Sequence, residues 1–182
     1  DGTKSIVRSN GWLHYTDAQG RLQDIDPTLE KTSEGWAAMR QHSPIRLWAN
    51  GSSSFETQTG KRWVFNQNPR FNGQPARISP FNVDSNTAVM ANIWQNVDRR
   101  IWVRDGWVET DYLIRKPIEN KEKYFRFSET QTLPLGWKLV RNPNKGEETP
   151  EGFWKGELWV LDETGKTVYE LHTPVCWDAK AN

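Results

Sequence analysis

Glu109 and Asp111 are two carboxylates whose spacing could support acid-base chemistry. On a β-strand, residues two apart point to the same face, and their backbones lie roughly 7 Å apart. A glycoside hydrolase needs two such groups flanking the bond that it cleaves, with the pKa of one of them raised. Arg100 is expected on the same face, and carboxylates beside an arginine are typical of a solvated charge ladder. We therefore predict no catalytic residues.

Indole rings and guanidinium groups form a second set of candidates beside these carboxylates. Trp102 and Trp107, with Arg100 and Arg104, would share one face of the same hairpin. Flat aromatic rings on a rigid sheet are surfaces on which sugar rings stack, so we predict that these four residues bind a ligand. In the alternative interpretation a second sheet or a loop covers the rings, Arg104 stacks on Trp107, and Arg100 pairs with Asp111 across the strands.

A β-hairpin must position all of these side chains. Two alternating runs, 100–104 and 107–114, flank an Asp105-Gly106 pair, which is typical of a two-residue type I′ turn. Residues directly opposite each other share one side of a sheet, so the turn fixes which residues face each other. The predicted pairs are Arg104 with Trp107, Val103 with Val108, Trp102 with Glu109, Ile101 with Thr110, and Arg100 with Asp111.

The remaining reactive residue types form no recognisable site. His14, His42 and His172 have no short metal-binding spacing, and the single cysteine, Cys176, has no partner motif. We predict neither a metal nor a cofactor. Cys176 is interpreted as a small packed hydrophobe, with a reactive thiol as the alternative.

Length and composition favour one domain over residues 1–182. The mean hydropathy is -0.84, yet 11 Trp, 7 Phe and 4 Tyr supply large apolar surfaces, so we expect an aromatic core. The net charge of +1 gives no general attraction for nucleic acid, which we do not expect as a partner. Because no stretch approaches the roughly 20 apolar residues that span a bilayer, we expect no membrane insertion.

Turn signals recur between short alternating or aromatic runs, which indicates an all-β fold. Asp17 and Asp162 each precede a glycine by three residues, as in hairpin turns whose last position is left-handed. We predict an antiparallel β-sandwich of two sheets with seven to ten strands. A further hairpin is expected at 54–65 and further strands at 44–48 and 123–127. We expect short helical turns at most at 27–32 and 87–94, and an exposed loop at 142–152.

Three blocks of the sequence form a recognisable pattern: Gly11 to Asp26; Asn92 to Asp98 followed by Val108 to Ile114; and Gly156 to Gly165 followed by Leu171 to Pro174 and Asp178-Ala179. This pattern resembles β-rich modules near the start of very large secreted or surface proteins of bacteria, such as Rhs-like or repeat-bearing proteins. The resemblance implies a β-sandwich in an extracellular setting, and it assigns no catalytic residue to this sequence.

These observations favour a noncatalytic structural or adhesion module of a bacterial surface or secreted protein, located outside the cell and able to assemble through strand edges. Its expected partners are other domains of a larger surface protein or copies of itself. The alternative is a carbohydrate-binding module that uses an exposed Trp/Arg face. A glycan-active enzyme is a third interpretation, and Glu109 is its main candidate residue.

Overall fold

The structure is a computed structural model that describes residues 14–104, 106–118 and 125–176. The chain divides into two compact units, Asp1–Thr132 and Leu133–Asn182. This division does not test the expected single domain over residues 1–182, which stays a prediction. Within the described residues every regular element is a β-strand, and no helix is long and apolar enough to span a membrane.

The first unit contains thirteen of the strands that the structure describes. They form a hairpin and two larger sheets, and all their pairings are antiparallel. The strands are β1 (His14–Thr16), β2 (Leu22–Asp24), β3 (Glu30–Thr32), β4 (Gly35–Ala38), β5 (Ile45–Trp48), β6 (Ser53–Glu56), β7 (Arg62–Phe71), β8 (Gln74–Pro75), β9 (Asn82–Asp84), β10 (Thr87–Trp94), β11 (Val97–Arg104), β12 (Trp107–Ile114) and β13 (Phe127–Thr132).

Two sheets of this unit enclose its core. One has the strand order β13-β7-β6-β5-β4-β3, with β8 beside β7, and the other has the order β12-β11-β10-β9. Phe71 on β7 packs in one cluster with Met90, Ile93 and Trp94 on β10 and with Val97 on β11. Aromatic rings supply much of this core, and the predicted antiparallel all-β sandwich is confirmed.

The predicted hairpin register is confirmed at every position. β11 and β12 pair without a bulge from Arg104 opposite Trp107 to Val97 opposite Ile114. Gly106 has φ +78°, the left-handed conformation that a type I′ turn requires of its second residue. Ile101 and Val103 are fully buried, whereas Trp102 and Arg104 are half-buried. Alternation therefore separates an apolar inner face from a polar and aromatic outer face.

The Asp-x-x-Gly turns also form as predicted. Asp17 Oδ1 accepts hydrogen bonds from the backbone N–H groups of Gln19 and Arg21 at 3.0 and 2.9 Å, between β1 and β2. Asp162 Oδ1 accepts equivalent bonds from Thr164 and Lys166 at 2.8 and 3.0 Å. Each carboxylate thus serves its own turn, as expected of aspartates that precede a left-handed glycine.

Several predicted boundaries were wrong. Residues 87–94 form strand β10, and Glu30–Thr32 forms strand β3, where short helical turns were expected. The strand expected over 123–127 also has a different boundary. β13 begins only at Phe127, Phe125 and Arg126 precede it, and residues 123–124 lie outside the described residues. The described residues contain sixteen strands instead of the expected seven to ten, since many strands have only three or four residues.

Arg99 is a buried cation that the sequence pattern did not reveal. It lies between Val97 and Ile101 on the inner face of β11 and is fully buried. Its guanidinium group donates hydrogen bonds to the backbone oxygen of Gly51 and, at 3.5 Å, to that of Asn66. Burial lowers the pKa of Arg99, while neighbouring Tyr112 and Glu129 oppose this shift. Arg99 therefore connects the two sheets through carbonyl groups.

The second unit is a three-stranded antiparallel sheet with the order β14-β15-β16. Its strands are β14 (Lys138–Glu148), β15 (Trp154–Leu161) and β16 (Thr167–Leu171). β14 extends into the stretch 142–152 that was predicted to be a loop, with its pairing shifted between Arg141 and Gly146. Gly146 and Gly156 face each other, and a Cβ atom on Gly146 would lie 2.3 Å from the Trp154 ring. Because neither glycine has a side chain, the Trp154 ring can occupy the space beside them.

Asp98 fixes the bulge in β10 beside the hairpin. Its Oδ1 accepts a hydrogen bond from the Asn92 backbone N–H at 2.8 Å, and its Oδ2 accepts one from Arg115 Nε at 2.8 Å. Asn92 has φ +51°, and the β10 register shifts between Met90 and Trp94. Desolvation raises the pKa of Asp98, but the Asn92 and Arg115 interactions outweigh it and hold this pKa below its usual range.

The Asp98→Asn substitution is expected to lower the free energy of unfolding by about 1–3 kcal/mol at pH 7. A lowered carboxyl pKa stabilises the folded state above the unfolded-state pKa of about 3.9, and this stabilisation is lost as the pH falls through the folded-state value. The difference between wild type and variant should therefore shrink below about pH 4. Urea unfolding between pH 7 and 3 measures it, with the exposed Glu30→Gln as control. A constant difference across this range would contradict the assigned charge interaction.

Candidate functional site

The outer face of the β11–β12 hairpin brings together the candidate ligand-binding residues and the two candidate carboxylates. Three cross-strand pairs build it: Arg104 with Trp107, Trp102 with Glu109, and Arg100 with Asp111. Each member of a pair points to the same side of the sheet, away from Ile101 and Val103 in the core. We call this surface the outer face; it consists of Arg100, Trp102, Arg104, Trp107, Glu109 and Asp111.

Arg104 lies close to both indole rings. Its Cζ atom is 3.5 Å from the centroid of the Trp102 ring and 4.9 Å from that of the Trp107 ring. Its Nε atom is buried and has no hydrogen-bond acceptor among the described residues. The guanidinium group is therefore positioned by cation-π contacts. Trp102 is half-buried beneath it, whereas 45% of Trp107 is exposed. Trp107 is the ring that is open to a ligand.

The two carboxylates of the outer face have different surroundings. Asp111 Oδ2 accepts a hydrogen bond from Arg100 Nε at 2.8 Å, and the Asp111 side chain is only 11% exposed. Glu109, half-buried opposite Trp102, forms no ion pair or hydrogen bond with another described residue. The expected Arg100–Asp111 pair is present, and Arg104 contacts Trp107 but lies nearer to Trp102. This arrangement leaves one carboxylate engaged and one available.

Neighbouring strands extend the outer face with polar residues that sequence reasoning missed. Thr87 on β10 lies opposite Trp102, and Asp84 on β9 lies opposite Thr87. In the next cross-strand row, Val89 lies opposite Arg100, and Asn82 lies opposite Val89. Burial alternates only over the first four residues of β10, 87–90, and the whole run 87–94 was interpreted as a turn at most. Aromatic and hydrogen-bonding groups therefore lie side by side across four strands.

A second polar cluster lies in the three-stranded sheet. Glu157, with 13% of its side chain exposed, accepts hydrogen bonds from Asn142 Nδ2 at 3.3 Å and Lys145 Nζ at 3.3 Å and contacts His172 Nδ1 at 3.1 Å. The His172 contact is the largest cause that lowers the pKa of Glu157. Asn142 and Lys145 belong to the shifted segment of β14, so this cluster fixes that irregularity. Asn142 and Lys145 are distant in sequence from Glu157 and His172, and no sequence motif predicted that they would meet.

His14 and His172 each pair with a carboxylate of their own unit. His14 pairs with Asp24 at 2.8 Å, and His172 pairs with Glu157. The parts of the chain that the structure describes contain no group of three His, Cys, Asp or Glu residues arranged to hold a metal ion. Cys176 is exposed, so the interpretation as a packed hydrophobe was wrong.

Comparison with known proteins finds no matching family model, no similar curated protein and no similar solved structure.

The two indoles of the outer face are expected to differ in their contribution to folding. Trp102→Ala should lower the free energy of unfolding by about 2–3 kcal/mol, because a half-buried ring and the surface beneath Arg104 are lost. Trp107→Ala should cost less than about 1 kcal/mol, since this ring is exposed and contributes mainly its contact with Arg104. Urea denaturation followed by circular dichroism measures both values. Unfolding of the Trp107→Ala protein would instead place this ring in the core.

Proposed function

We propose that this chain is a noncatalytic adhesion module of a secreted or surface-located bacterial protein and that it binds glycan through the outer face. The observation that carries the proposal is the exposed Trp107 ring on a regular, bulge-free hairpin, with a fixed guanidinium group beside it. Such a ring offers an apolar surface to a sugar ring at low conformational cost. The bacterial and extracellular parts rest on the sequence resemblance described above.

The charged groups of the outer face support binding rather than catalysis. Hydrolysis of a glycosidic bond needs an acid and a second carboxylate placed on either side of that bond. Here Asp111 is engaged by Arg100, and both carboxylates project from neighbouring positions of one strand. Glu109 can accept hydrogen bonds from a ligand but has no opposing partner on a facing wall among the described residues. Adhesion needs no such partner.

Trp107→Ala is expected to abolish binding to insoluble polysaccharide without unfolding the protein. The exposed ring supplies the stacking surface, and stacking of this kind contributes about 0.5–1.5 kcal/mol beyond the area that it buries. Pull-down assays and the change of tryptophan emission on addition of soluble glycan measure the effect. Phe153→Ala, which removes a 69% exposed ring in the other unit, is the control and should bind like wild type. Equal binding by wild type and Trp107→Ala would refute the proposed surface.

A second candidate is a structural module that assembles through a strand edge. β12 ends the four-stranded sheet and pairs along its full length with β11 alone among the described strands. Its sequence, Trp107 to Ile114, contains neither proline nor lysine, which are residues that commonly protect such edges. Its two charged residues, Glu109 and Asp111, both project from the outer face, so the rest of this edge is uncharged and can act as a template for a strand from another chain.

If the edge assembles, the average molar mass in sedimentation equilibrium should rise with protein concentration. Ile114→Lys adds a charge at the exposed end of β12 and should return the protein to a monomer, because charged side chains discourage edge pairing. Leu135→Lys, at a 99% exposed position in the other unit, is the matched control. A monomer at every concentration would remove this candidate and leave glycan adhesion unaffected.

A further inference from the structure

We infer that the ligand of the outer face is a neutral glycan rather than an acidic one. This inference rests on the proposed glycan-binding function and specifies the chemical class of its ligand. Its basis is the charge on the surface around Trp107. Arg100 and Arg104 supply two positive charges, and Glu109 and Asp111 supply two negative charges. The outer face is therefore formally neutral, although arginine and tryptophan are its most prominent residues.

The two arginines differ in how their charge is compensated within the sheet. Arg100 donates to Asp111 through both Nε and Nη2, so its charge is compensated within the sheet. Arg104 has no carboxylate partner among the described residues, but its guanidinium plane lies against the Trp102 ring. A guanidinium group held on an aromatic face retains N–H donors at its rim. Those donors suit a hydroxyl or carbonyl oxygen that approaches along the surface.

Negative charge flanks the same ligand surface. Glu109 lies opposite Trp102 and is free of described ion pairs, and Asp84 projects in the same cross-strand row. Asp84 is exposed. A uronic acid or a sulfated sugar that stacks on Trp107 and extends along this row would bring its anionic groups near these carboxylates. Like charges brought together in this way lower affinity and discriminate against the wrong ligand.

A sugar hydroxyl matches this mixture of groups because it both donates and accepts hydrogen bonds. It can accept from Arg104 and donate to Glu109 while the sugar ring rests on Trp107. Thr87 adds a hydroxyl in the row of Trp102, and Asn82 adds an amide in the row of Arg100. Donors and acceptors are thus both present on the same side of the sheet as the exposed indole. A neutral polyhydroxylated chain satisfies both kinds without introducing a net charge.

Binding to matched pairs of polysaccharides tests this inference. The pairs are cello-oligosaccharides with carboxymethylcellulose, methyl-esterified with free polygalacturonate, and dextran with dextran sulfate, each measured by calorimetry at low and high salt. We expect binding to neutral members only, with little dependence on salt because no ion pair forms with the ligand. Preferential, salt-sensitive binding of acidic members would overturn the inference and leave glycan adhesion standing. Absence of binding to every member would overturn both.

Glu109→Gln isolates the contribution of the carboxylate. The amide still accepts a hydrogen bond, so the affinity for neutral glycan should fall by no more than about fivefold. Removing the negative charge should also allow measurable binding of the acidic member of the same pair. The Glu30→Gln protein, altered at an exposed position on β3, is the control and should keep the wild-type preference. An unchanged rejection of acidic glycan by Glu109→Gln would contradict the role of Glu109.

Discussion

The uninterrupted pairing of β11 with β12 is the constraint on which the outer face depends. Side chains of a strand alternate with a period of two, so a slip of one residue would exchange the two faces of the hairpin. Ile101 and Val103 would then move toward solvent, and Trp102 and Arg104 would enter the core. The buried row opposes such a slip, because Ile101 and Val103 are fully buried. Core packing on one side thus fixes the position of the proposed ligand surface on the other.

Arg99 adds a second constraint from inside the sandwich. Its guanidinium group is fully buried and donates to carbonyl oxygens of Gly51 and Asn66 on the opposite side of the core. A buried charge whose hydrogen bonds are lost is strongly destabilising. Asn66 also donates to Thr110 Oγ1 on β12 at 3.1 Å. These polar contacts tie both hairpin strands to the facing sheet, which makes the outer face a rigid platform.

The sequence predicted the parts of this fold that local rules determine. The Asp105-Gly106 pair and the alternation around it predicted the full hairpin register, and Asp17 and Asp162 predicted their turns. The burial of Arg99 was not predictable because it depends on carbonyl groups from distant strands. Strand β10 was missed because its bulge at Asn92 interrupts the alternation, and Asp98, six residues further along, compensates for that interruption.

The candidate site was predicted in composition but not in full geometry. The sequence placed Arg100, Trp102, Arg104 and Trp107 on one face, and the structure places them there. The difference between the two rings depends on the rotamer of Arg104, which covers Trp102 more closely than Trp107. Side-chain contacts of this kind involve three residues at once, whereas strand alternation fixes only the side of the sheet. The contributions of Asp84 and Thr87 required the order of four strands.

Nuclear magnetic resonance of the indole N–H groups during a titration with neutral oligosaccharide tests the central claim most directly. Our account predicts that the Trp107 indole signal moves saturably, together with the Arg104 Nε–H signal. The signals of Trp63 and Trp94 should remain in place, because their indole N–H groups donate to Gln131 Oε1 at 3.2 Å and to the Gln74 backbone oxygen at 3.0 Å. Saturable shifts confined to tryptophans outside the hairpin, with Trp107 unchanged, would contradict the account.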